Sequence, residues 1–160
     1  MESEKKTFNS VEPVNISEAK IILEQMTKCI CKININRKLG TGFFCLIPYQ
    51  DHKMSVFMTN YHLIDENYYK QSKEIILVLN DDIETRTINL KIKRETYFNK
   101  DYDITLIELK KEDNIKFGLE LDDNLFKDEI KNFYQNISLY IIHYPNGKNA
   151  SYSLGKLINF

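Results

Sequence analysis

The chain has 160 residues, 42% of them apolar and 12% aromatic, which is enough to bury the core of one ordinary domain or two small ones. Its 22 basic and 23 acidic side chains nearly cancel and are mixed along the chain. Nucleic acids and anionic membranes bind to clustered positive charge, so the composition argues against both as partners.

The sequence also bears on the compartment. The polar first residues, which include Glu2 and Glu4, are unlike a signal peptide. The longest apolar runs are about five residues, whereas a membrane-spanning helix needs roughly 20. Three cysteines cannot all pair with one another, and without a secretory signal they are interpreted as free thiols. We therefore expect a cytoplasmic protein.

The first 27 residues are predicted to form a polar arm followed by a short helix. Ser17 is a candidate N-cap, Glu18 supplies negative charge to the first turn, and the helix is expected to end near Thr27. Ile21, Ile22, Leu23 and Met26 recur at roughly helical spacing.

From residue 28 onward the apolar residues follow the short alternating pattern of β-strands. Six strands are predicted within residues 28–110, and they lie at 29–35, 43–47, 55–59, 75–79, 86–92 and 104–109. Residues 111–132 are charged and weakly patterned, which indicates a linker. Two further strands, at 137–143 and 151–158, flank the turn Pro-Asn-Gly-Lys at 145–148, whose asparagine and glycine tolerate positive φ.

Three short motifs occur in a fixed order along these strands. They are Gly-Thr-Gly-Phe-Phe at 40–44, Thr-Asn-Tyr-His-Leu-Ile at 59–64 and Asp-Tyr-Asp-Ile-Thr-Leu-Ile at 101–107. Together they resemble the trypsin-like serine peptidases of chymotrypsin fold, above all the disulfide-free branch that includes the high-temperature-requirement proteases. Residues 141–147 and 153–158 resemble the later strands of the same family, so the resemblance covers residues 28 to 160.

The resemblance implies an all-β, chymotrypsin-like double β-barrel. Its first barrel, residues 28–110, would be complete, and its second, residues 133–160, would be incomplete. His62 matches the family's general base and Asp103 the carboxylate that orients it. Imidazole suits this role because its pKa lies near neutrality, and a carboxylate on the other ring nitrogen fixes the tautomer and stabilises the imidazolium. We expect the two side chains to lie within hydrogen-bonding reach.

The sequence departs from the family at the nucleophile. The family's Gly-x-Ser-Gly motif is absent, and Ser151 and Ser153 come one strand too early. The expected function is therefore that of a serine-type endopeptidase acting on peptide or protein substrates, present here as a fragment without its nucleophile, which could be serine or cysteine. The alternative is an inactive pseudoprotease that binds a peptide or partner, with exposed strand edges available for pairing. A small β-barrel interaction domain with accidental motif matches is a third hypothesis.

Each candidate residue also has a plainer interpretation. His62 alone could be a core or turn histidine, and Asp103 alone could cap a strand. His143 is interpreted as a sheet residue and His52 as a solvated loop residue. A zinc site could be imagined from the three cysteines with His52 and His62, but a Cys-x-Cys pair on a strand lacks the Cys-x-x-Cys spacing that closes a tetrahedral site. We therefore expect neither a metal nor a cofactor.

Overall fold

The computed structural model describes residues 13–122, Tyr134 and residues 137–157. The predicted arm at residues 1–12, the linker residues 123–132 and the last residues of the predicted final strand lie outside the described residues. No helix among the described residues is long and apolar enough to cross a bilayer.

The N-terminal helix is present and is slightly longer than predicted. Helix α1 spans Ile16–Cys29, and its buried residues Ile22, Met26 and Cys29 face the sheet. The prediction that Ser17 is the N-cap is wrong. Asn15 occupies that position. Its side chain accepts a hydrogen bond from the backbone N–H of Glu18, and its own backbone N–H donates to the Glu18 carboxylate, which completes a capping box.

The rest of the chain is mainly β-structure, which confirms the all-β expectation at this level. The strands are β1 (Ile30–Ile35), β2 (Lys38–Tyr49), β3 (His52–Thr59), β4 (Glu74–Leu79), β5 (Glu84–Asn89), β6 (Thr96–Asn99), β7 (Ile104–Glu108), β8 (Leu119–Glu120), β9 (Ser138–His143) and β10 (Ser151–Lys156). Helix α2 (Glu66–Gln71), capped by the Asp65 side chain, lies between β3 and β4 and was not predicted.

The first eight strands form one curled sheet in the order β5-β4-β1-β2-β3-β7-β6, with β8 pairing in parallel with β2. Apart from β8, neighbouring strands are antiparallel. The two outermost strands, β5 and β6, follow each other in the chain and are joined by residues 90–95 alone. This short connection brings the two ends of the sheet together.

A buried ion pair holds that connection in place. The guanidinium of Arg94 donates to both carboxylate oxygens of Asp113 at 2.6 and 2.7 Å, and also to the carbonyls of Asn89 and Glu108. The two side chains are 0% and 2% exposed. Asp113 belongs to a 3₁₀ turn, Lys111–Asp113, within the predicted linker. The first part of that linker therefore packs on the sheet.

One concave core lies inside the curled sheet. Alternate residues of the strands point into it, and the largest fully buried side chains include Phe44, Phe57, Ile33, Ile75, Leu77 and Ile107. The motif glycine Gly42 has a packing reason, since a Cβ there would lie 2.4 Å from the Phe57 ring. The period-2 pattern of the sequence thus encodes which face is buried.

Strands β9 and β10 form a separate two-stranded sheet that packs beside α1 and β1. Its contact with the large sheet centres on Tyr144, which is buried and whose backbone N–H donates to the Thr41 hydroxyl at 3.0 Å. In the connecting turn, Asn146 and Gly147 have φ of 53° and 65°, as the Asn-Gly pair predicts. A second barrel remains a prediction, because the described residues beyond β8 supply only this hairpin.

Candidate functional site

His62 lies in a tight turn that begins where β3 ends. The carbonyl of Asn60 accepts hydrogen bonds from the backbone N–H groups of Leu63 and Ile64, both at 3.2 Å. Leu63 and Ile64 are buried, whereas the His62 side chain is 59% exposed. The turn therefore directs the histidine outward while the next two residues anchor it in the core.

Two contacts hold Leu63 and Ile64, the buried residues that follow His62, in place. Leu63 packs on Gly40 of β2, where a Cβ would lie 2.2 Å from its Cδ1 atom. The buried hydroxyl of Thr105 donates to the Ile64 carbonyl at 2.6 Å. The first glycine of the Gly-Thr-Gly motif thus makes room for the residue after the histidine.

Asp103 lies directly before β7, and β7 pairs antiparallel with β3. The register places Thr59 opposite Thr105, so the end of β3 and the start of β7 meet at the same edge of the sheet. Asp103 has a φ of 53°, in the left-handed region that aspartate tolerates better than most residues. This backbone conformation accompanies the turn that brings its carboxylate to His62.

The two predicted site residues are in direct contact. Nδ1 of His62 lies 2.7 Å from Oδ2 of Asp103, within the hydrogen-bonding reach predicted from the sequence. The backbone N–H of His62 also donates to Oδ1 of Asp103, at 2.8 Å. The pairing is therefore present in the structure, while the catalytic role of the two residues stays a prediction.

The hydrogen bonds of Asp103 stabilise its ionised form. Partial burial acts to raise the pKa of the Asp103 carboxyl, but the backbone N–H and ring of His62, helped by the Asn60 amide, hold that pKa below its usual range. The carboxylate is therefore ionised at neutral pH, although its side chain is still 42% exposed. An ionised acceptor on Nδ1 favours the tautomer that leaves Nε2 as a base.

A cavity of about 350 Å³ opens beside the histidine. Its walls come from the β1–β2 turn, the His62 turn and helix α2, and they include Asn36, Lys38, Asp65, Tyr68, Gln71 and Ser72. The ammonium of Lys38 donates to the His62 carbonyl at 2.9 Å, which ties the rim of the cavity to the turn. The His62 ring thus borders a polar depression.

The other two histidines lie away from the dyad. His52, predicted to be a loop residue, is instead the first residue of β3 and packs edge-on against Tyr49 with ring centroids 5.8 Å apart. His143 is a strand residue as predicted, and its Nε2 lies 3.1 Å from the Ser153 hydroxyl across the β9–β10 pair.

The three cysteines are free and buried. Burial raises the pKa of all three thiols, most of all that of Cys31. Within the described residues, no group of three or more His, Cys, Asp or Glu side chains is arranged to hold a metal ion.

Two polar residues of the site were missed by sequence reasoning. Asn60 donates to Oδ2 of Asp103 at 3.1 Å, and Thr105 holds the backbone after His62. Asn60 could have been found from its place two residues before the histidine in the same turn. Thr105 carried no signal, because a threonine in an alternating strand is an ordinary β-residue.

Comparison with known proteins does not assign this chain to a family. No protein-family model matches the chain, and no solved structure matches it. The chain is similar to a leucine–tRNA ligase of Wigglesworthia glossinidia brevipalpis, with 24% identity over 155 residues. That alignment covers 93% of this chain but only 18% of the ligase. At this identity and coverage, the match shows neither a family nor an activity for this chain.

Proposed function

We propose that this chain carries the general base and orienting carboxylate of a serine-type endopeptidase of the trypsin-like class, with a nucleophile that does not belong to the described residues. The proposal is carried by one observation, the 2.7 Å contact between Nδ1 of His62 and Oδ2 of Asp103 on an exposed ring. A structural histidine has no need of an ionised partner on one nitrogen and solvent access for the other. A general base needs both.

The chemistry assigned to the pair follows from this arrangement. Nε2 of His62 would take the proton from a serine hydroxyl or cysteine thiol as that group attacks the peptide carbonyl carbon. Asp103 would stabilise the imidazolium formed. His62 would then give the proton to the departing amine nitrogen as the peptide bond breaks, leaving an acyl-enzyme for water to hydrolyse. The nucleophile and its oxyanion hole would lie outside the residues described.

The test uses the complete open reading frame that contains these 160 codons. The full protein is expected to hydrolyse peptides and to react covalently with a fluorophosphonate, or with an iodoacetamide if the nucleophile is cysteine. Asp103→Asn should lower kcat by about 10⁴-fold, because the imidazole loses its correct tautomer. His52→Ala, a histidine away from the dyad, is the matched control and should leave kcat unchanged. A full protein that neither reacts with these probes nor cleaves peptides would contradict the proposal.

The alternative, an inactive module that binds a peptide or partner, is favoured by two observations. Among the described residues, the His62 ring has a hydrogen-bonding contact with Asp103 and with no hydroxyl or thiol. In the described part of the chain the hairpin sheet has two strands, so β9 from Leu139 to His143 and β10 pair with no other described strand along their outer edges. Unpaired edges accept an added strand.

The two functions make opposite predictions for His62→Ala. A binding module should retain its affinity for peptides selected against the 160-residue chain by display, measured by calorimetry, when the imidazole is removed. Proline substitution of Tyr140 should weaken that binding if the peptide adds to the edge of β9, because Tyr140 lies in a pair that alternates with the hydrogen-bonded Ile137–Leu157 pair, and its N–H therefore faces outward. Selection of no peptide at all, together with activity of the complete protein, would exclude the binding module.

A further inference from the structure

The side chain of Asn60 makes contacts that the turn itself does not require. Its Nδ2 atom lies 3.1 Å from Oδ2 of Asp103 and 3.4 Å from the main-chain oxygen of the same residue. Its backbone carbonyl separately closes the turn by accepting from Leu63 and Ile64. The backbone forms the turn, and the side chain reaches across to the strand that carries Asp103.

The acceptors of Asp103 show what this reach accomplishes. Oδ1 accepts the backbone N–H of His62 at 2.8 Å, and Oδ2 accepts the Asn60 amide at 3.1 Å. These two donors hold both carboxylate oxygens without help from the imidazole. A carboxylate fixed in this way presents the remaining lone pair of Oδ2 to Nδ1 of His62, at 2.7 Å.

We propose that Asn60 is a positioning residue for the His62–Asp103 pair, holding the Asp103 carboxylate in the orientation that accepts a proton-bearing Nδ1. This inference rests on the proposed function, in which His62 acts as a base through Nε2. Among the residues that the structure describes, every donor that orients the carboxylate comes from the single turn at residues 60–62. In this role Asn60 acts through Asp103, the residue that its side-chain amide contacts.

A purely structural role for Asn60 predicts a different outcome. If only its backbone matters, replacing the side chain leaves the carbonyl in place and the His62 ring unchanged. If the Asn60 amide positions Asp103, loss of the amide frees Oδ2 of the carboxylate to turn away from Nδ1 of His62. The neutral imidazole then shifts toward the tautomer with its proton on Nε2. The tautomer of His62 is therefore a readout that a structural role would not move.

The experiment measures imidazole ¹⁵N chemical shifts in the 160-residue chain labelled at histidine, at about pH 9, well above the ordinary histidine pKa. The unsubstituted chain should show His62 mainly as the Nδ1–H tautomer. Asn60→Ala should lose this as the major form, and Asp103→Ala should lose it completely. Asn67→Ala, at an exposed asparagine on the nearby helix α2, is the matched control and should match the unsubstituted chain.

A second variant keeps the test decisive if Asn60→Ala unfolds. Asn60→Asp preserves the shape of the side chain but replaces the amide donor with an acceptor beside Oδ2, so it should also lose the Nδ1–H form. Asn67→Asp controls for the added charge. Retention of the Nδ1–H tautomer in a folded Asn60 variant, while Asp103→Ala loses it, overturns the role of Asn60 alone. An Nε2–H ring in the unsubstituted chain overturns both this inference and the proposed general base.

Discussion

The two sheets of this molecule are stabilised in different ways. The curled sheet of β1–β8 surrounds a continuous core of fully buried side chains, and its ends are held together by the buried Arg94–Asp113 pair. The β9–β10 hairpin exposes large apolar residues, among them Ile141 and Tyr152, and is anchored through Tyr144. The first sheet contains its own core, whereas the hairpin depends on the surface against which it packs.

This difference explains where the dyad is found. His62 and Asp103 lie at the ends of two neighbouring strands of the self-contained sheet, and the turn that carries His62 is anchored in its core. A site that must hold two side chains at hydrogen-bonding distance benefits from a rigid base. The hairpin contributes none of the contacts to the dyad among the described residues.

Removing one member of the buried ion pair should destabilise the curled sheet most. Arg94→Ala leaves the Asp113 carboxylate buried without its partner, and this should lower the free energy of unfolding by about 3–5 kcal/mol, measured by urea denaturation. The matched control is Arg86→Ala, because Arg86 pairs with Glu84 at the surface and such pairs contribute about 0–1 kcal/mol. If Arg94→Ala and Arg86→Ala lower the free energy of unfolding by similar amounts, the Arg94–Asp113 pair does not hold residues 90–95 in place.

Truncating the hairpin anchor should separate the two sheets. Tyr144→Ala removes a buried ring and should reduce the stability of the docked hairpin by about 3 kcal/mol. Hydrogen exchange should then show fast amides in β9 and β10, while β1–β3 remain protected. Tyr140→Ala, at a more exposed tyrosine of the same hairpin that donates to Gln25, should have little effect. Equal loss of protection in both sheets would show that they unfold as one unit.

Glycine substitutions compare the packing of the two sheets directly. Gly42→Ala places a methyl group against the buried Phe57 ring and should lower the free energy of unfolding by about 1–3 kcal/mol. Gly155→Ala, in β10, places the same group where no atom lies within 4 Å and should change that free energy little. Thermal or urea unfolding of both variants measures the contrast. A larger loss at Gly155 would mean that the hairpin is more tightly packed than the structure shows.

The smallest expected effect is the pH dependence of the stability that Asp103 contributes. The folded-state pKa of Asp103 is lower than its unfolded value, so the unfolded chain binds the proton first as the pH falls. The stabilisation from this carboxylate is complete above the ordinary aspartate range of about 4 and is lost as the pH falls through the lower, folded-state pKa. The stability difference between the unsubstituted chain and Asp103→Asn should therefore shrink in acid. Asp101→Asn, at an exposed neighbour, is the control. A difference independent of pH would contradict the assignment.

Much of the curled sheet could be predicted from the sequence, because its strands alternate apolar and polar residues. Strands β3, β4 and β7 lie close to their predicted positions, since each has an alternating or continuously apolar run. Strand β2 is longer than predicted because its glycines are accepted within the strand by Leu63 and Phe57 packing over them. Local patterns cannot report such contacts, since the packing partners are distant in sequence.

The missed elements share a physical cause. Strands β6 and β8 are four and two residues long, too short to show a period, and α2 begins from an aspartate cap without an apolar stripe. Strand β5 ends at Asn89, before the predicted Ile92, and the Asn89 carbonyl accepts a hydrogen bond from the Arg94 guanidinium. Of the site, the sequence predicted His62 and Asp103 from a motif but missed Asn60, whose side chain contacts a residue 43 positions away.

The pairing of β3 with β7 has a consequence for how this chain folds. Strands β1, β2 and β3 are joined by short turns, so they can pair through contacts between residues that are close in sequence. His62 and Asp103 are 41 positions apart, so their meeting requires closure of a long loop, which is entropically costly and slow. We expect the three-stranded meander to form before the dyad exists. The hydrogen bond between His62 and Asp103 would then serve as a late marker on the folding pathway, appearing only once the distant strand has docked.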